Sequence, residues 1–197
     1  MKHYRTTGAV APSSRFLARA IVQSIPDCAN KRVLEVGCGT GAFTKEILKK
    51  LQDGDEFHIV ELSSDFCKVV EKSFLEQFRK DNPNIRVVLH NAPIEDSGLD
   101  EKFDAIICGL PFNNFPLKLV QQVFDVMFGL LKEDSELAYF EYLGMLKLKR
   151  IFGFPAIRSE TKQRTTDINS RYIKQSGSHQ LVWRNIPSCR VVRLKGC

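Results

Sequence analysis

The sequence predicts an α/β fold, in which helices wrap both faces of a doubly wound, mostly parallel sheet of about seven strands. Short apolar runs of strand composition alternate with stretches of helical period from residue 32 to 142. The connections between these runs are too long for hairpins, as the crossovers of a parallel sheet must be. The 197 residues are 43% hydrophobic and 26% charged, which predicts a single domain over residues 1–197.

The first predicted element is an amphipathic helix within residues 1–26. It follows Pro12, with Ser13 or Ser14 as its cap, and Pro26 stops it after about Ser24. One face is largely apolar and carries Phe16, Leu17, Ala20, Ile21 and Ser24.

Five strands and three helices follow in the predicted core, residues 30–142. The strands are short apolar runs at 32–36, 57–61, 85–89, 103–108 and 137–142. The helices, at 43–51, 65–79 and 115–131, place apolar residues three and four apart, most clearly from Val120 to Leu131. A basic segment, 143–178, is predicted as an insertion after the fifth strand, and two closing strands, 180–185 and 190–194, fall within residues 179–197.

The charge is unevenly distributed along the chain. Residues 1–139 carry 17 Lys or Arg and 20 Asp or Glu, whereas residues 140–197 carry 12 Lys or Arg and only 3 acids. This asymmetry favours a polyanionic partner, either nucleic acid or an anionic membrane surface, although a basic solvated face is the alternative. The sequence predicts neither a membrane span nor a secretory signal.

Six cysteines are present, but none forms a C-x-x-C pair or lies at zinc-ligand spacing from a histidine. We interpret them as reduced thiols of a cytoplasmic protein and expect no metal site.

The loop after the first strand contains the pattern E-x-G-x-G-x-G, from Glu35 to Gly41. Alternate glycines let the backbone turn sharply and approach a ligand closely. Glu61 ends the second strand, where a carboxylate can accept hydrogen bonds from ribose hydroxyls. The alternative is a tight turn beside an exposed glutamate. The glycine spacing differs from the G-x-G-x-x-G of dinucleotide enzymes.

This pattern resembles the first motif of the class I S-adenosylmethionine-dependent methyltransferases, whose fold is Rossmann-like. The resemblance implies S-adenosylmethionine as the cofactor. It places Glu61 on the ribose, Leu62 against the adenine and Asn91 with Ala92 beside the adenine edge. The other cofactor-binding residues of this core are expected to be Glu35, Gly37, Gly39, Gly41 and Gly109.

The loop after the fourth strand distinguishes between substrates. Adenine and amide N-methyltransferases carry Asn/Asp-Pro-Pro-aromatic or Asn-Leu-Pro-aromatic here, and the Asn side chain hydrogen-bonds the planar target nitrogen. This chain keeps Leu110, Pro111 and Phe112 but has Gly109 in place of the Asn. A neutral alkyl amine is strongly nucleophilic and needs mainly positioning. The loop therefore favours an alkyl amine over adenine.

Together with Thr7–Leu17 and Asn185-Ile186-Pro187, this loop resembles the bacterial phospholipid N-methyltransferases. Those enzymes convert phosphatidylethanolamine stepwise toward phosphatidylcholine, and relatives act on ornithine lipid. The chain is more distantly similar to ribosomal RNA adenine dimethylases, so RNA adenine N6-methylation is the alternative function. The lipid resemblance implies substrate contacts from Leu110, Pro111 and Phe112. It also implies an N-terminal helix over the cofactor, with Arg15 and Leu17 among the cofactor-binding residues.

The basic segment mixes aromatic, aliphatic and cationic residues, as interfacial membrane segments do. We expect Lys147, Lys149 and Arg150 to bind the lipid phosphate. RNA stacking and a buried helix with a solvated rim are the alternatives. The expected partners are an anionic membrane surface and an aminolipid, with nucleic acid as the second choice. A monomer in the cytoplasm, peripheral on the inner face of the membrane, is expected.

The sequence identifies no general base by motif. Glu141, Tyr142, Tyr172 and His179 are the candidates by their position near the expected pocket mouth.

Overall fold

The computed structural model describes residues 14–112, 115–143, 177–185 and 187–196. Its helices are α1 (Arg15–Ile21), α2 (Thr44–Ile47), α3 (Ser64–Val70), α4 (Glu76–Asp81) and α5 (Leu117–Leu130). Its strands are β1 (Arg32–Val36), β2 (Glu56–Val60), β3 (Arg86–His90), β4 (Phe103–Cys108), β5 (Leu131–Tyr142), β6 (Ser178–Val182) and β7 (Cys189–Lys195).

The seven strands form one sheet in the order β3-β2-β1-β4-β5-β7-β6. Strands β1 to β5 are parallel, β7 is antiparallel to β5, and β6 is antiparallel to β7. The predicted fold class is therefore confirmed. The strand order reverses direction at β1, so a crevice forms beyond the carboxyl ends of β1 and β4, where open parallel sheets bind ligands.

Apolar cores lie on both faces of the sheet. One face packs against α1, α2 and the α3–α4 stretch, with Leu17, Ile47 and Leu75 fully buried. The other face packs against α5, whose Phe124 and Met127 are fully buried. Helices on both sides are what the alternating strand and helix pattern predicts.

The N-terminal helix begins as the sequence predicts. The Ser14 hydroxyl accepts a hydrogen bond from the Leu17 N–H at 3.3 Å, which caps the first turn. The Ser14 N–H donates to Asn185 Oδ1 at 3.0 Å, and Asn185 is itself buried. The start of α1 is therefore tied to the turn that joins β6 and β7.

Several element bounds differ from the sequence prediction. Strand β5 begins at Leu131, directly after α5, and not at 137, because Leu131 pairs with Phe103 before the register shifts. Asp134 takes a positive φ of 60° within this irregular stretch. The predicted helix 65–79 is interrupted by a wider turn at Glu71–Leu75, and the predicted helix 43–51 is α-helical only at Thr44–Ile47.

A buried ion pair lies at the amino end of the sheet. Lys31 Nζ and Asp55 Oδ2 are 2.5 Å apart, and both side chains are almost completely buried. Asp55 also accepts hydrogen bonds from the backbone N–H groups of Lys31 and Gln52. This pair joins β1 to the loop before β2, on the opposite edge of the sheet from the crevice.

Candidate functional site

The glycine loop between β1 and α2 requires glycine at specific positions. Gly37 and Gly41 have φ values of +78° and +86°, in the left-handed region that other residues avoid. A Cβ atom on Gly37 would lie 2.5 Å from Leu110 Cδ2, and one on Gly41 would lie 2.4 Å from the Phe74 ring. A Cβ atom on Gly39 would meet nothing within 4 Å. The loop is thus packed on both sides and open at its centre.

Glu61, directly after β2, connects two loops of the crevice. Its Oε2 accepts a hydrogen bond from the Gly39 N–H at 3.0 Å, and its Oε1 accepts one from the Ser63 N–H at 2.8 Å. The residue is only 8% exposed. A carboxylate offers about four acceptor positions, so lone pairs remain for hydroxyl groups of a ligand.

Glu35 is a buried carboxyl group at the end of β1. Its Oε2 accepts a hydrogen bond from the Thr44 hydroxyl at 2.7 Å, whereas its Oε1 has no partner among the described residues. Burial raises the pKa of Glu35 to about 8. An unsatisfied buried carboxyl oxygen is costly, so a cationic or hydrogen-bond-donating group placed here by a ligand would be stabilised.

A cavity of about 190 Å³ opens at the carboxyl ends of the central strands. Its walls come from the ends of β1 and β2, the loops after β3 and β4, and α5 with the residues before it. Its residues are Val36, Gly37, Val60, Glu61, Leu62, Ala92, Pro93, Ile94, Glu95, Leu110, Phe115, Leu119 and Val123. The walls are mainly apolar, which suits a flat apolar group, and the Glu61 carboxylate offers acceptors for hydroxyls.

The structure brings five of the predicted site residues to this cavity. They are Gly37, Glu61, Leu62, Ala92 and Leu110. Leu62 is 67% exposed, which leaves an apolar side chain available to a ligand.

Asn91 acts on the backbone of the same loop. Its Nδ2 donates to the carbonyl oxygens of Glu61 and Leu62, at 2.9 and 3.1 Å. The donor side of its amide is therefore already used to hold the loop after β2, and its oxygen remains as an acceptor.

The predicted residues of the N-terminal helix lie in different surroundings. Leu17 is fully buried in the core beneath α1. Arg15 is exposed, and its guanidinium carbon lies 5.0 Å from the centre of the Phe16 ring.

The loop after β4 packs tightly on the glycine loop. The Gly109 N–H donates to the Val36 carbonyl oxygen at 2.8 Å, and a Cβ atom on Gly109 would lie 2.3 Å from the Gly37 oxygen. Phe112 is 6% exposed, and its ring centre lies 4.9 Å from that of Phe124 and 6.0 Å from that of Tyr139. Pro111, which directly precedes Phe112, is partly buried.

The candidate bases do not line the cavity where they are described. Glu141 pairs with Arg190, whose Nε lies 3.2 Å from its Oε2. Tyr142 is buried, and burial raises the pKa of its phenol to about 12. His179 is exposed on β6. The fourth candidate base, Tyr172, lies outside the described residues, as do the predicted phosphate-binding residues Lys147, Lys149 and Arg150.

Sequence reasoning missed several wall residues. Leu119 and Val123 are four residues apart, so they lie on the same face of α5, which lines the cavity. Phe115, another four residues earlier, lines the cavity just before the helix begins. That spacing is visible in the sequence. By contrast, nothing in the sequence marks Pro93, Ile94 and Glu95 as wall residues.

The described residues contain neither a metal-binding cluster nor a membrane-spanning helix. No group of three or more His, Cys, Asp or Glu in that part of the chain could hold a metal ion. Likewise, no helix there has the length and hydropathy that crossing a bilayer requires.

Comparison with known proteins places this geometry in a family. Residues 34–137 match the family model described as a methyltransferase domain. An ornithine lipid N-methyltransferase from Singulisphaera acidiphila is 29% identical over 126 residues, 64% of this chain and 65% of that protein. Ribosomal RNA small subunit methyltransferase A from Mesomycoplasma hyopneumoniae is 31% identical over 98 residues, 50% of this chain and 34% of that protein.

The chain thus spans less than two thirds of the length of these curated relatives. Among solved structures, TrmN from Thermus thermophilus aligns with a TM-score of 0.61 at 16% identity, covering 92% of this chain and 48% of that one. At such low identity, the likeness establishes the fold alone.

Proposed function

We propose that this chain methylates the amine of a membrane aminolipid. The chain belongs to the methyltransferase domain family. It is a class I methyltransferase with S-adenosylmethionine as its cofactor. Phosphatidylethanolamine and ornithine lipid are the two acceptors proposed. The ornithine lipid N-methyltransferase supports an aminolipid substrate through its 29% identity over 64% of this chain.

The residues at the crevice fit the cofactor. Glu61 would accept hydrogen bonds from the ribose hydroxyls, and the exposed Leu62 with Ala92 would pack on the adenine. The unpaired Oε1 of Glu35 and the open centre of the loop at Gly39 suit the polar amino-acid end. When bound, the cofactor supplies an electrophilic methyl group on a sulfonium ion.

The packing of the loop after β4 carries the choice of acceptor. A planar adenine amine is a poor nucleophile, and the enzymes that methylate it use a side-chain acceptor and an aromatic stacking partner. Position 109 has no room for a side chain, and Phe112 packs against Phe124 and Tyr139. Neither contact is available to a flat base, whereas an alkyl amine needs only positioning.

The chain's own residues contribute position and desolvation. Of the candidate bases, the described ones lie off the cavity, and Glu141 is already paired with Arg190. The amine must be neutral to attack, so we assign the mainly apolar walls the role of excluding water around it. Basic residues of segment 143–178, including Lys147, Lys149 and Arg150, would bind the lipid phosphate.

With this function we expect the protein to be a peripheral monomer at the inner face of the cytoplasmic membrane. A net charge of +6 favours an anionic leaflet.

Methyl-labelled cofactor separates the acceptors. The purified chain would be incubated with vesicles containing phosphatidylethanolamine, ornithine lipid or only phosphatidylcholine, which has no free amine. Label should appear in the amine-containing lipids and not in phosphatidylcholine. Label in a ribosomal RNA transcript, with none in either aminolipid, would contradict the proposal.

RNA adenine methylation is the second candidate. Half of this chain is 31% identical to ribosomal RNA small subunit methyltransferase A, which favours this function. The RNA arm of the labelling experiment tests it directly.

A further inference from the structure

The outer edge of the sheet carries two exposed large apolar side chains. On the edge strand β6 and just beyond it, Leu181 is 51% exposed and Trp183 is 70% exposed, while Val182 between them is buried. Val182 lies in the core beneath α1, so Leu181 points to the opposite face of the sheet. Trp183 lies in the turn that follows β6.

Trp183 lies at the same edge of the sheet as the cavity. Strand β6 is antiparallel to β7, which is antiparallel to β5, so β6 runs in the direction of the parallel strands. Val182 is in register with Cys189, and Cys189 with Tyr142 at the end of β5. Trp183 therefore follows the carboxyl end of β6, just as the ligand loops follow the carboxyl ends of β1 and β4.

The turn is fixed to the N-terminal helix. Asn185, which is buried, accepts from the Ser14 N–H at 3.0 Å and donates to the Pro187 carbonyl oxygen at 2.7 Å. The guanidinium carbon of Arg184 lies 4.5 Å from the centre of the Phe16 ring, and that of Arg15 lies 5.0 Å from it. The exposed and partly exposed residues of this turn and of the start of α1 are here called the Trp183 surface: Arg15, Phe16, Trp183 and Arg184.

Its charge complements an anionic surface. Within the described residues, Arg15 and Arg184 form no ion pair, and both are exposed. The sequence from 144 to 176 adds eight Lys or Arg against two Asp or Glu to the charge of the chain. Tryptophan beside arginine suits the headgroup boundary of a bilayer, where the indole is half apolar and the guanidinium meets phosphate.

We propose that the Trp183 surface docks the protein on an anionic lipid bilayer, with Trp183 in the headgroup boundary and Arg15 and Arg184 on lipid phosphates. This inference rests on the proposed function, because an aminolipid acceptor lies in such a bilayer. Docking through this edge turns the carboxyl ends of the strands, and with them the cavity, toward the lipid. The acceptor amine then has a short path to the site.

The chain supplies its own reporter, since Trp183 is its single tryptophan. Trp183 emission would be followed while vesicles of phosphatidylcholine with phosphatidylglycerol are added, and in parallel with vesicles of phosphatidylcholine alone. The emission should move to shorter wavelength with the anionic vesicles at much lower lipid concentration. Arg184→Gln should weaken this apparent affinity about fivefold, the effect of one surface cation near an anionic leaflet.

Lys72→Gln is the matched control, because it removes the same charge from an exposed position on the turn between α3 and α4. It should leave the vesicle affinity close to that of the wild type. Trp183→Ala, followed by co-sedimentation, should weaken binding about tenfold, as expected for an aromatic side chain that leaves water.

Three results would overturn the docking surface. The emission could stay unchanged while the protein sediments with vesicles, or it could lie at short wavelength before lipid is added, which would mean that another part of the chain or a second copy covers Trp183. RNA could also move the emission while vesicles do not.

Methyl transfer to an aminolipid in detergent micelles separates this inference from the proposed function. Transfer in micelles without a vesicle response of Trp183 would refute the surface and leave the function. A vesicle response without transfer to any aminolipid would refute the function and leave the surface.

Discussion

Replacement of Glu61 by alanine tests the centre of the site. The Glu61 carboxylate accepts two backbone hydrogen bonds, from Gly39 at 3.0 Å and from Ser63 at 2.8 Å, and is almost fully buried. Glu61→Ala leaves both N–H groups without this acceptor. It also removes the acceptor proposed for the ribose hydroxyls. Two separate losses follow, one in the stability of the protein and one in the affinity of the folded protein for its cofactor.

The magnitudes follow from these contacts. Hydrogen bonds to a charged group contribute about 1.5–3 kcal/mol each, and partial hydration of the freed donors reduces the loss, so the free energy of unfolding should fall by about 2–4 kcal/mol. Loss of the ribose contacts should weaken cofactor affinity by about 1–3 kcal/mol, roughly 5- to 150-fold in Kd. Glu61→Gln, which keeps one carbonyl oxygen, should give intermediate values for both.

Denaturant unfolding measures the first loss, and calorimetric titration with S-adenosylhomocysteine under native conditions measures the second. Glu95→Ala is the matched control, since Glu95 lines the same cavity but is exposed and makes no side-chain hydrogen bond among the described residues. It should change both quantities little. Unchanged affinity in Glu61→Ala, or an equal loss in Glu95→Ala, would refute the assignment of the ribose to Glu61.

Three further substitutions test the surrounding structure. Gly109→Ala places a Cβ atom 2.3 Å from the Gly37 carbonyl oxygen, so the free energy of unfolding should fall by about 1–3 kcal/mol in denaturant titrations. Gly129→Ala in α5 is the control: its Cβ atom would have no neighbour within 4 Å, so this variant should be neutral or stabilising. Native Glu35, with its pKa raised from 4.5 to about 8 by burial, binds a proton that the unfolded chain has released. Wild-type stability should therefore fall as pH rises from about 4.5 to 8, and Glu35→Gln should lack this component; parallel slopes for the two proteins would contradict it. Asp55→Ala leaves the Lys31 ammonium buried and unpaired, so thermal or denaturant unfolding should show a loss of about 3–5 kcal/mol.

The parts of the fold that local sequence determines could be predicted. Strands β1 and β4 begin and end where the sequence predicts, because each is a short run of largely apolar, β-branched-rich residues bounded by polar residues or glycine. The glycine loop and Glu61 could also be predicted, since their spacing lies within two consecutive strand ends. The parallel order then brings those ends together at one edge.

Other features depend on contacts distant in sequence. Phe112 looks like an exposed stacking residue in its motif, but α5 and β5 bury it against Phe124 and Tyr139. The early start of β5 depends on the pairing of Leu131 with Phe103, 28 positions earlier. In the sequence, Asn185 is only one part of the resemblance to the phospholipid N-methyltransferases, and the fold shows that its side chain holds the start of α1.

The presence of glycine in place of asparagine at position 109 and the burial of Phe112 have a common structural origin. The Gly109 N–H extends the ladder between β1 and β4 by one hydrogen bond, to the Val36 carbonyl oxygen at 2.8 Å. This bond holds the loop after β4 against the glycine loop, so position 109 cannot carry a side chain. The chain then continues over the end of the sheet, where Phe112 packs beside α5.

An asparagine at position 109 would therefore not restore the contacts that adenine methylation uses. Its Cβ atom would displace the Gly37 backbone, on which the cofactor loop depends, and Phe112 would still face the core. A tetrahedral amine with an available lone pair needs neither an amide acceptor nor a stacking ring, but only a path into the crevice and exclusion of water. The packing of this one loop thus supports the proposed amine methylation over the alternative of base methylation, independently of the basic segment.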